Sequence, residues 1–410
     1  MIAPSNLNQF RQAPVRRFHE LDSLRGLAAL TVVFHHFSRI CSPEDLHVLD
    51  RTPLRLLVAG HQAVILFFLL SGFVLTLPYK TEGSLNYRSF LLKRVCRIYF
   101  PYLGALAFAI LCDLHFSSRS PINNYWTNLT WSAPVTTRLA VQHILFLGNY
   151  DWSQFNTAFW SLVYEMRISL LFPFIAVAVL RLRSLWIALF AAVLSLSFFP
   201  LAMLFSTAPH LSSRAAAIDT TLTLHYAAFF LVGSLLAKHL DAINRRYAQL
   251  GSLQAAVIAL VSVALYAFAN ASSIVQRFSI PADLYDWGAA AGAAMLIIFA
   301  MNSPSFHSFL TRRTIHHLGQ ISYSLYLIHG TILFVLIHTL LGHVSMSRLL
   351  LIYLFATLLV TEIFYRLIER PTTLLGRRLT TPRTTTQQTE PPLIVRPQLE
   401  LILHQDASEG

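Results

Sequence analysis

The chain has 410 residues, 55% of them hydrophobic and only 12% charged, where a soluble domain carries about 25% charged residues. With a mean hydropathy of +0.55, this excludes a soluble globular protein and points to a polytopic membrane protein. The formal charge of +12 sits in short basic clusters between apolar runs, the pattern of cytoplasmic loops rather than of a nucleic-acid surface.

Residues 1–20 hold Arg11, Arg16 and Arg17 against the single acid Glu20 and read as a cytoplasmic N-terminal segment. They contain no apolar core of a cleavable signal peptide. Span one, Leu21–Phe37 (LDSLRGLAALTVVFHHF), then runs outward. Arg25 and His36 are eleven positions apart. At about 100° and 1.5 Å per residue they lie within about 20° on one helix face, about 16–17 Å apart along the axis. In hydrocarbon about 30 Å thick, Arg25 falls at one surface and His36 near mid-membrane.

Span two, Leu56–Leu77, returns to a basic loop from Lys80 to Arg97, and span three is Ile98–Leu114. Residues 115–137 are polar and aromatic and read as external. Residues 138–147 are too few to cross and read as a re-entrant or interfacial helix. Further spans are Phe159–Leu180, Leu185–Phe205, Leu222–Ala237, Leu253–Ala269, Tyr285–Asn302, Ile321–Leu341 and Leu350–Leu367. With 138–147 left non-spanning, the clusters around Arg181/Arg183, Arg245/Arg246, Arg312/Arg313 and Arg377/Arg378 all fall on the inner side. The predicted fold is an all-α polytopic membrane protein with about ten transmembrane helices and one short re-entrant or interfacial helix. Residues 372–410, rich in Thr, Pro and Gln, read as a disordered cytoplasmic tail.

Ionisable groups within spans are candidates for function. His36 shares the face of Arg25, whereas His35 is rotated about 100° away, so His36 is the candidate general base. Arg94 and Arg97, with Lys93, are either an inner-surface anchor or a phosphate clamp, since arginines three apart share a helix face and guanidinium forks match phosphate. Glu165 is either half of a structural ion pair or a substrate- or proton-handling carboxylate; Arg167, two residues on, cannot meet it on the same face. Ser71-Gly72-Phe73 is either a close-packing point or a place where a ligand reaches the backbone. His329 is similarly open, and Glu369-Arg370-Pro371 reads as a helix stop with a local salt bridge. No GxxxxGK[ST] loop is present. Cys41, Cys96 and Cys112 have no metal-ligand spacing, so no metal site is expected.

Arg25 and His36 within LDSLRGLAALTVVFHH resemble the signature of the membrane acyltransferase 3 family. The segments FFLLSGFVLT, KRVCRIYFPYL, FWSLVYEMRISLLFP, FFLVGSLLA, GQISYSLYLIHG and IERP follow in that family's order. The resemblance covers residues 21–371. It implies an integral-membrane O-acyltransferase of the plasma (bacterial inner) membrane that moves an acyl group, usually acetyl, from cytoplasmic acyl-CoA to a hydroxyl. The acceptor would be an extracytoplasmic carbohydrate, a lipid-linked molecule or a small molecule. By resemblance Arg25 and His36 are the family's essential pair, Arg94 and Arg97 are its RxxR motif implicated in donor binding, and Ser71-Gly72-Phe73 is the SGF motif; Lys93 and Arg25 are expected to join the two arginines on acyl-CoA. The residues expected to meet substrate are Ser71, Gly72, Trp160, Ser161, Tyr164 and His329, with Glu165 beside His36 in catalysis. Acyl-CoA is expected as donor substrate, with no tightly bound cofactor. Met166, Arg167, Ile168 and Ser169 depart from the family's usual residues after WSLxxE and put the acceptor pocket in doubt. A transporter using the Arg25/His36 line as a proton or substrate relay is the alternative; its expected hallmark, inverted repeats with interrupted helices, is not evident.

Overall fold

The computed structural model describes residues 18–82, 86–117, 126–145, 151–197, 201, 211–269 and 282–381. The predicted cytoplasmic N-terminal segment up to residue 17, and the predicted tail from residue 382, lie outside the described residues. Ten helices form the body: α1 (His19–Ser38), α2 (Gly60–Glu82), α3 (Tyr87–Phe116), α4 (Phe159–Arg181), α5 (Ser184–Leu196), α6 (Leu211–Lys238), α7 (Ser252–Phe268), α8 (Ala282–Asn302), α9 (Ser322–Leu340) and α10 (Met346–Thr380). No strand occurs among the described residues. Seven of the ten, α2, α3, α4, α6, α8, α9 and α10, are long and apolar enough to cross a membrane, and α5 and α7 are shorter apolar helices. The chain is an all-α polytopic membrane protein. Residues 138–147 fall largely on a nine-residue helix, Thr137–Leu145, too short to cross. His143 pins it to α3 through the Tyr102 hydroxyl, which donates to the His143 carbonyl at 3.1 Å, and burial holds the His143 imidazole down to about 4.

Several boundaries differ from the sequence reading, among them the start of α6 at Leu211 rather than Leu222 and the end of α5 at Leu196, and three have a clear local reason. Span two begins at Gly60, because Pro53–Val58 form a 3-10 turn first. The expected basic loop ending at Arg97 is helical from Tyr87, where the Asn86 side chain caps the helix by accepting from the Arg88 amide at 2.9 Å. Nor does the chain stop at Pro371: α10 runs on to Thr380, so residues 372–380, expected in the tail, are helical. A proline in a helix lacks the amide hydrogen and its ring strikes the carbonyl four residues earlier. The helices that carry Pro101 and Pro371 relieve that clash in the same way. Wide π turns at Val95–Tyr99 and Tyr365–Glu369 precede Pro101 and Pro371, and they contain Arg97 and Leu367, whose carbonyls would otherwise collide with the rings.

The tightest seam runs between α2 and α6. A Cβ on Gly72 would overlap the Phe230 carbonyl, and one on Gly233 would overlap the Leu69 carbonyl. Each helix thus meets the other backbone to backbone, the small-residue packing expected where no hydrophobic effect drives helices together. Ser234 Oγ donates to the Phe230 carbonyl at 2.8 Å, and Thr76 Oγ1 donates to the Gly72 carbonyl at 2.8 Å. Gly72 is therefore a packing residue on the α6 side and not part of a ligand wall, contrary to its expected substrate role. Gly72→Val should destabilise the protein by about 1–3 kcal/mol through overpacking, read as a lowered thermal midpoint in detergent, whereas Val74→Ala on an adjoining turn should lower it less.

Candidate active site

Each cationic residue singled out in the sequence comes from a helix turned toward one cavity of about 430 Å3. Arg25 enters it from α1; Lys93, Arg94 and Arg97 enter from α3; Glu165 and Ser161 come from α4; Ser71 comes from α2. The π turn in α3 has a direct consequence here. An α-helical stripe of every fourth residue drifts around the axis, and a wider turn reverses the drift, so Asn86, Phe90, Arg94 and Ile98 all line the same cavity. Val64, Phe67 and Phe68 of α2 give the wall an apolar stretch, Ser89 and Ser322 add hydroxyls, and Tyr323 and Tyr326 of α9 line it as well.

Glu165 holds the charged end together. Arg94 approaches it at 3.8 Å, and Ser71 Oγ donates to the same carboxylate oxygen at 3.2 Å. Arg25 pairs with Asp22, one turn back on α1, at 3.6 Å. Of the roles the sequence leaves open for Glu165, its contacts with Arg94 and Ser71 match the ion pair to another helix. A carboxylate inside a membrane protein takes the nearest guanidinium. Lys93 and Arg97 remain exposed at the rim.

His36 is not part of the cavity lining. It is buried on the same helix as Arg25 and meets His329 of α9, with His36 Nδ1 and His329 Nε2 2.8 Å apart. Trp126 covers it, with ring centroids 5.5 Å apart. The neighbouring His35 is tied elsewhere, its Nδ1 donating to the Val58 carbonyl at 2.8 Å. His329, expected to meet substrate, is thus a partner of His36. Tyr326 joins the two regions: it lines the cavity, its ring lies 5.8 Å from that of His329, and its hydroxyl bonds Ser161 Oγ at 2.7 Å. Sequence reasoning missed Tyr326, although it stands three residues before His329 in YSLYLIHG and hence on the same helix face.

Trp160 and Tyr164, also expected at the substrate, are absent from the cavity wall. Their rings lie tilted against Tyr226 of α6, at centroid separations of 5.6 and 5.2 Å. Arg167, one of the departures after WSLxxE, donates to Asp219 at 2.6 Å and to Thr223 Oγ1 at 3.1 Å, a pairing that needs no ligand. A second polar chain crosses the bundle. His61 and His225 hold the two oxygens of Asp286 at 2.6 and 3.1 Å, and Ser195 Oγ meets His225 Nδ1 at 2.8 Å. Its sequence signal was an aspartate inside span Tyr285–Asn302, which intramembrane burial makes conspicuous. No cluster of His, Cys, Asp and Glu with metal-binding geometry occurs among the described residues.

A bundle of membrane-length helices around one cavity lined by Arg25, Lys93, Arg94 and Arg97, with a buried histidine pair nearby, defines the class as a multi-pass membrane protein with a polar interior site. The family model described as an acyltransferase domain, that of the acyltransferase 3 family, matches residues 18–366, and the chain belongs to that family. It is an acyltransferase, and the transporter reading is set aside. A curated relative, "Protein 2 in picA locus" of Rhizobium radiobacter, is 31% identical over 172 residues, covering 37% of this chain and 83% of that one. No solved structure matches the chain.

Breaking the half-buried Arg94–Glu165 pair by Glu165→Ala should cost about 1–3 kcal/mol, because Arg94 loses the carboxylate that answers it. The double variant Arg94→Met/Glu165→Met should recover most of that loss, and thermal unfolding in detergent at matched expression distinguishes the two.

Proposed function

We propose that the protein is an integral-membrane O-acyltransferase that takes an acyl group, acetyl by preference, from acyl-CoA. The acceptor is a hydroxyl on a carbohydrate, a lipid-linked molecule or a small molecule across the membrane. The observation that carries this reading is the gathering of Arg25, Lys93, Arg94 and Arg97 from two helices around one cavity that Tyr326 also lines, its ring 5.8 Å from that of His329.

The nucleotide end of the acyl-CoA lies at the cavity rim. There Lys93 and Arg97 are exposed and meet phosphate as charge-assisted donors. The pantetheine arm runs along Val64, Phe67 and Phe68 toward Ser161 and Tyr326, and the thioester then faces the histidine pair. His36 removes the proton from the acceptor hydroxyl as its oxygen forms the new bond to the acyl carbon. The C–S bond breaks, and the proton held by His36 passes to the departing thiolate. Glu165 serves the donor end by keeping Arg94 in place. The basic rim belongs to the cytoplasmic face, where acyl-CoA is made, with both termini on that side and the protein in a bacterial inner membrane.

The test follows label from radiolabelled acetyl-CoA into lipid and glycan fractions of membrane vesicles at matched protein levels. His36→Ala should lower transfer by about 100- to 10,000-fold, the range of a lost general base. Arg94→Ala and Arg97→Ala should each raise the KM for acetyl-CoA about tenfold, equivalent to one charge-assisted hydrogen bond of about 1.5 kcal/mol. Full transfer by His36→Ala would sink the base assignment, and an unchanged KM in both arginine variants would sink the donor site.

A further inference from the structure

The contact between His36 and His329 carries more information than proximity. Their rings are inclined by only 19° with centroids 4.9 Å apart, while the two facing nitrogens stand 2.8 Å apart. Face-to-face stacking would bring many ring atoms within contact. Here the centroid separation is nearly spanned by one N···N contact plus a ring radius at each end, so the rings lie edge to edge in nearly one plane. This is the geometry of an in-plane N–H···N hydrogen bond.

The direction of that bond is set by the backbone. His329 Nδ1 lies 3.0 Å from the Leu325 carbonyl, one turn earlier on α9. A carbonyl oxygen only accepts, so Nδ1 carries the hydrogen of neutral His329 and Nε2 carries the lone pair. His329 Nε2 must then accept, and His36 Nδ1 must donate. His36 is thereby held as the Nδ1–H tautomer, with its lone pair on Nε2, the nitrogen that makes no hydrogen bond among the described residues. His35 cannot substitute, because its Nδ1 is committed to the Val58 carbonyl.

We infer that His329 is a positioning residue: through the Leu325 carbonyl it fixes the tautomer and ring plane of His36, so that His36 Nε2 is the atom that accepts the acceptor-hydroxyl proton. The inference rests on the general-base reading of His36 above. It replaces the substrate-binding role expected for His329. The logic matches that of serine hydrolases, where a third group holds the basic imidazole in the correct tautomer; here a helix carbonyl relayed through a second imidazole performs that task without placing a carboxylate in the membrane. The arrangement also delocalises charge. When His36 gains a proton on Nε2, its Nδ1–H bond to His329 becomes charge-assisted and shortens, which stabilises the imidazolium in transit.

The experiment compares His329→Gln, His329→Asn and His329→Leu with wild type and His36→Ala, reading apparent kcat and donor KM from radiolabelled acetyl-CoA in vesicles, after melting curves confirm folding. A glutamine amide reaches the place of an imidazole Nε2, and its oxygen can accept from His36 Nδ1; an asparagine amide reaches only the place of Nδ1. Gln should retain roughly a tenth or more of wild-type kcat, Asn and Leu should lose about 100-fold or more, and donor KM should stay within about threefold in all. Because Gln and Asn differ little in polarity, a gap between them reports geometry rather than folding. Wild-type kcat in Asn and Leu overturns the inference. So does equal loss in all three, Gln included, which would make His329 an acid–base group itself. A raised KM with unchanged kcat would return His329 to substrate binding. Activity in His36→Ala would instead overturn the general-base reading on which all of this stands.

Discussion

A guanidinium and a carboxylate placed inside a membrane protein must answer one another, and the Arg94–Glu165 pair is the constraint on which the site depends. Burying either ion alone costs several kcal/mol even after relaxation. The helices that carry them, α3 and α4, therefore stay in register at this level. Ser71 joins from α2 by donating to the same oxygen, so a single carboxylate ties three helices around the cavity mouth. Lys93 and Arg97 stand outside the pair and remain exposed at the rim. A cavity holding only cations would repel itself; one holding equal charges would bind nothing anionic. The excess of cations over the single lining carboxylate leaves the cavity with a net positive charge.

The other end of the site solves a different problem without ions. His36 and His329 are buried, and each finds its partner in a neutral hydrogen bond that ends on a backbone carbonyl. Neutral imidazoles can be buried in an apolar surrounding at far lower cost than a carboxylate. Between the charged and neutral regions stand Tyr326 and Ser161, hydroxyl to hydroxyl. The polarity of the interior thus grades from ion pair through hydroxyls to imidazole along α1 and α9. Elsewhere the bundle uses polar groups as fasteners: Asp286 between His61 and His225, and Arg167 on Asp219.

Close approach of backbones is what lets so few helices enclose a cavity. Gly72 and Gly233 remove the side chains that would hold α2 and α6 apart, and Ser71, the next residue on α2, is consequently presented to the cavity. The SGF motif therefore divides by face: the serine turns to the ligand space and the glycine to the neighbouring helix. Two prolines do comparable work for α3 and α10. They impose π turns that a straight helix would not make, and in α3 that turn keeps Arg94 and Ile98 on one face.

Much was legible in the sequence because its rules are local. Hydropathy over a span determines which segments cross, and 100° per residue determines which side chains share a face. Arg25, Lys93, Arg94, Arg97, Ser71, Ser161 and Glu165 were selected this way or by family resemblance, and all line one cavity. Helix ends were misread where a capping asparagine or a π turn overrode the signal of charge or proline, as at Asn86 and Pro371. The azimuth of one helix against another has no local signature. Ser71 is 94 positions from Glu165 and His36 is 293 from His329, and no periodicity connects residues so far apart. The sequence alone determined a multi-pass helical protein with an arginine and a histidine aligned on its first span. Only the tertiary structure decided that Glu165 pairs with arginine rather than histidine, and that His36 answers to His329, because partners across a bundle are chosen by packing and by the cost of unpaired polar groups.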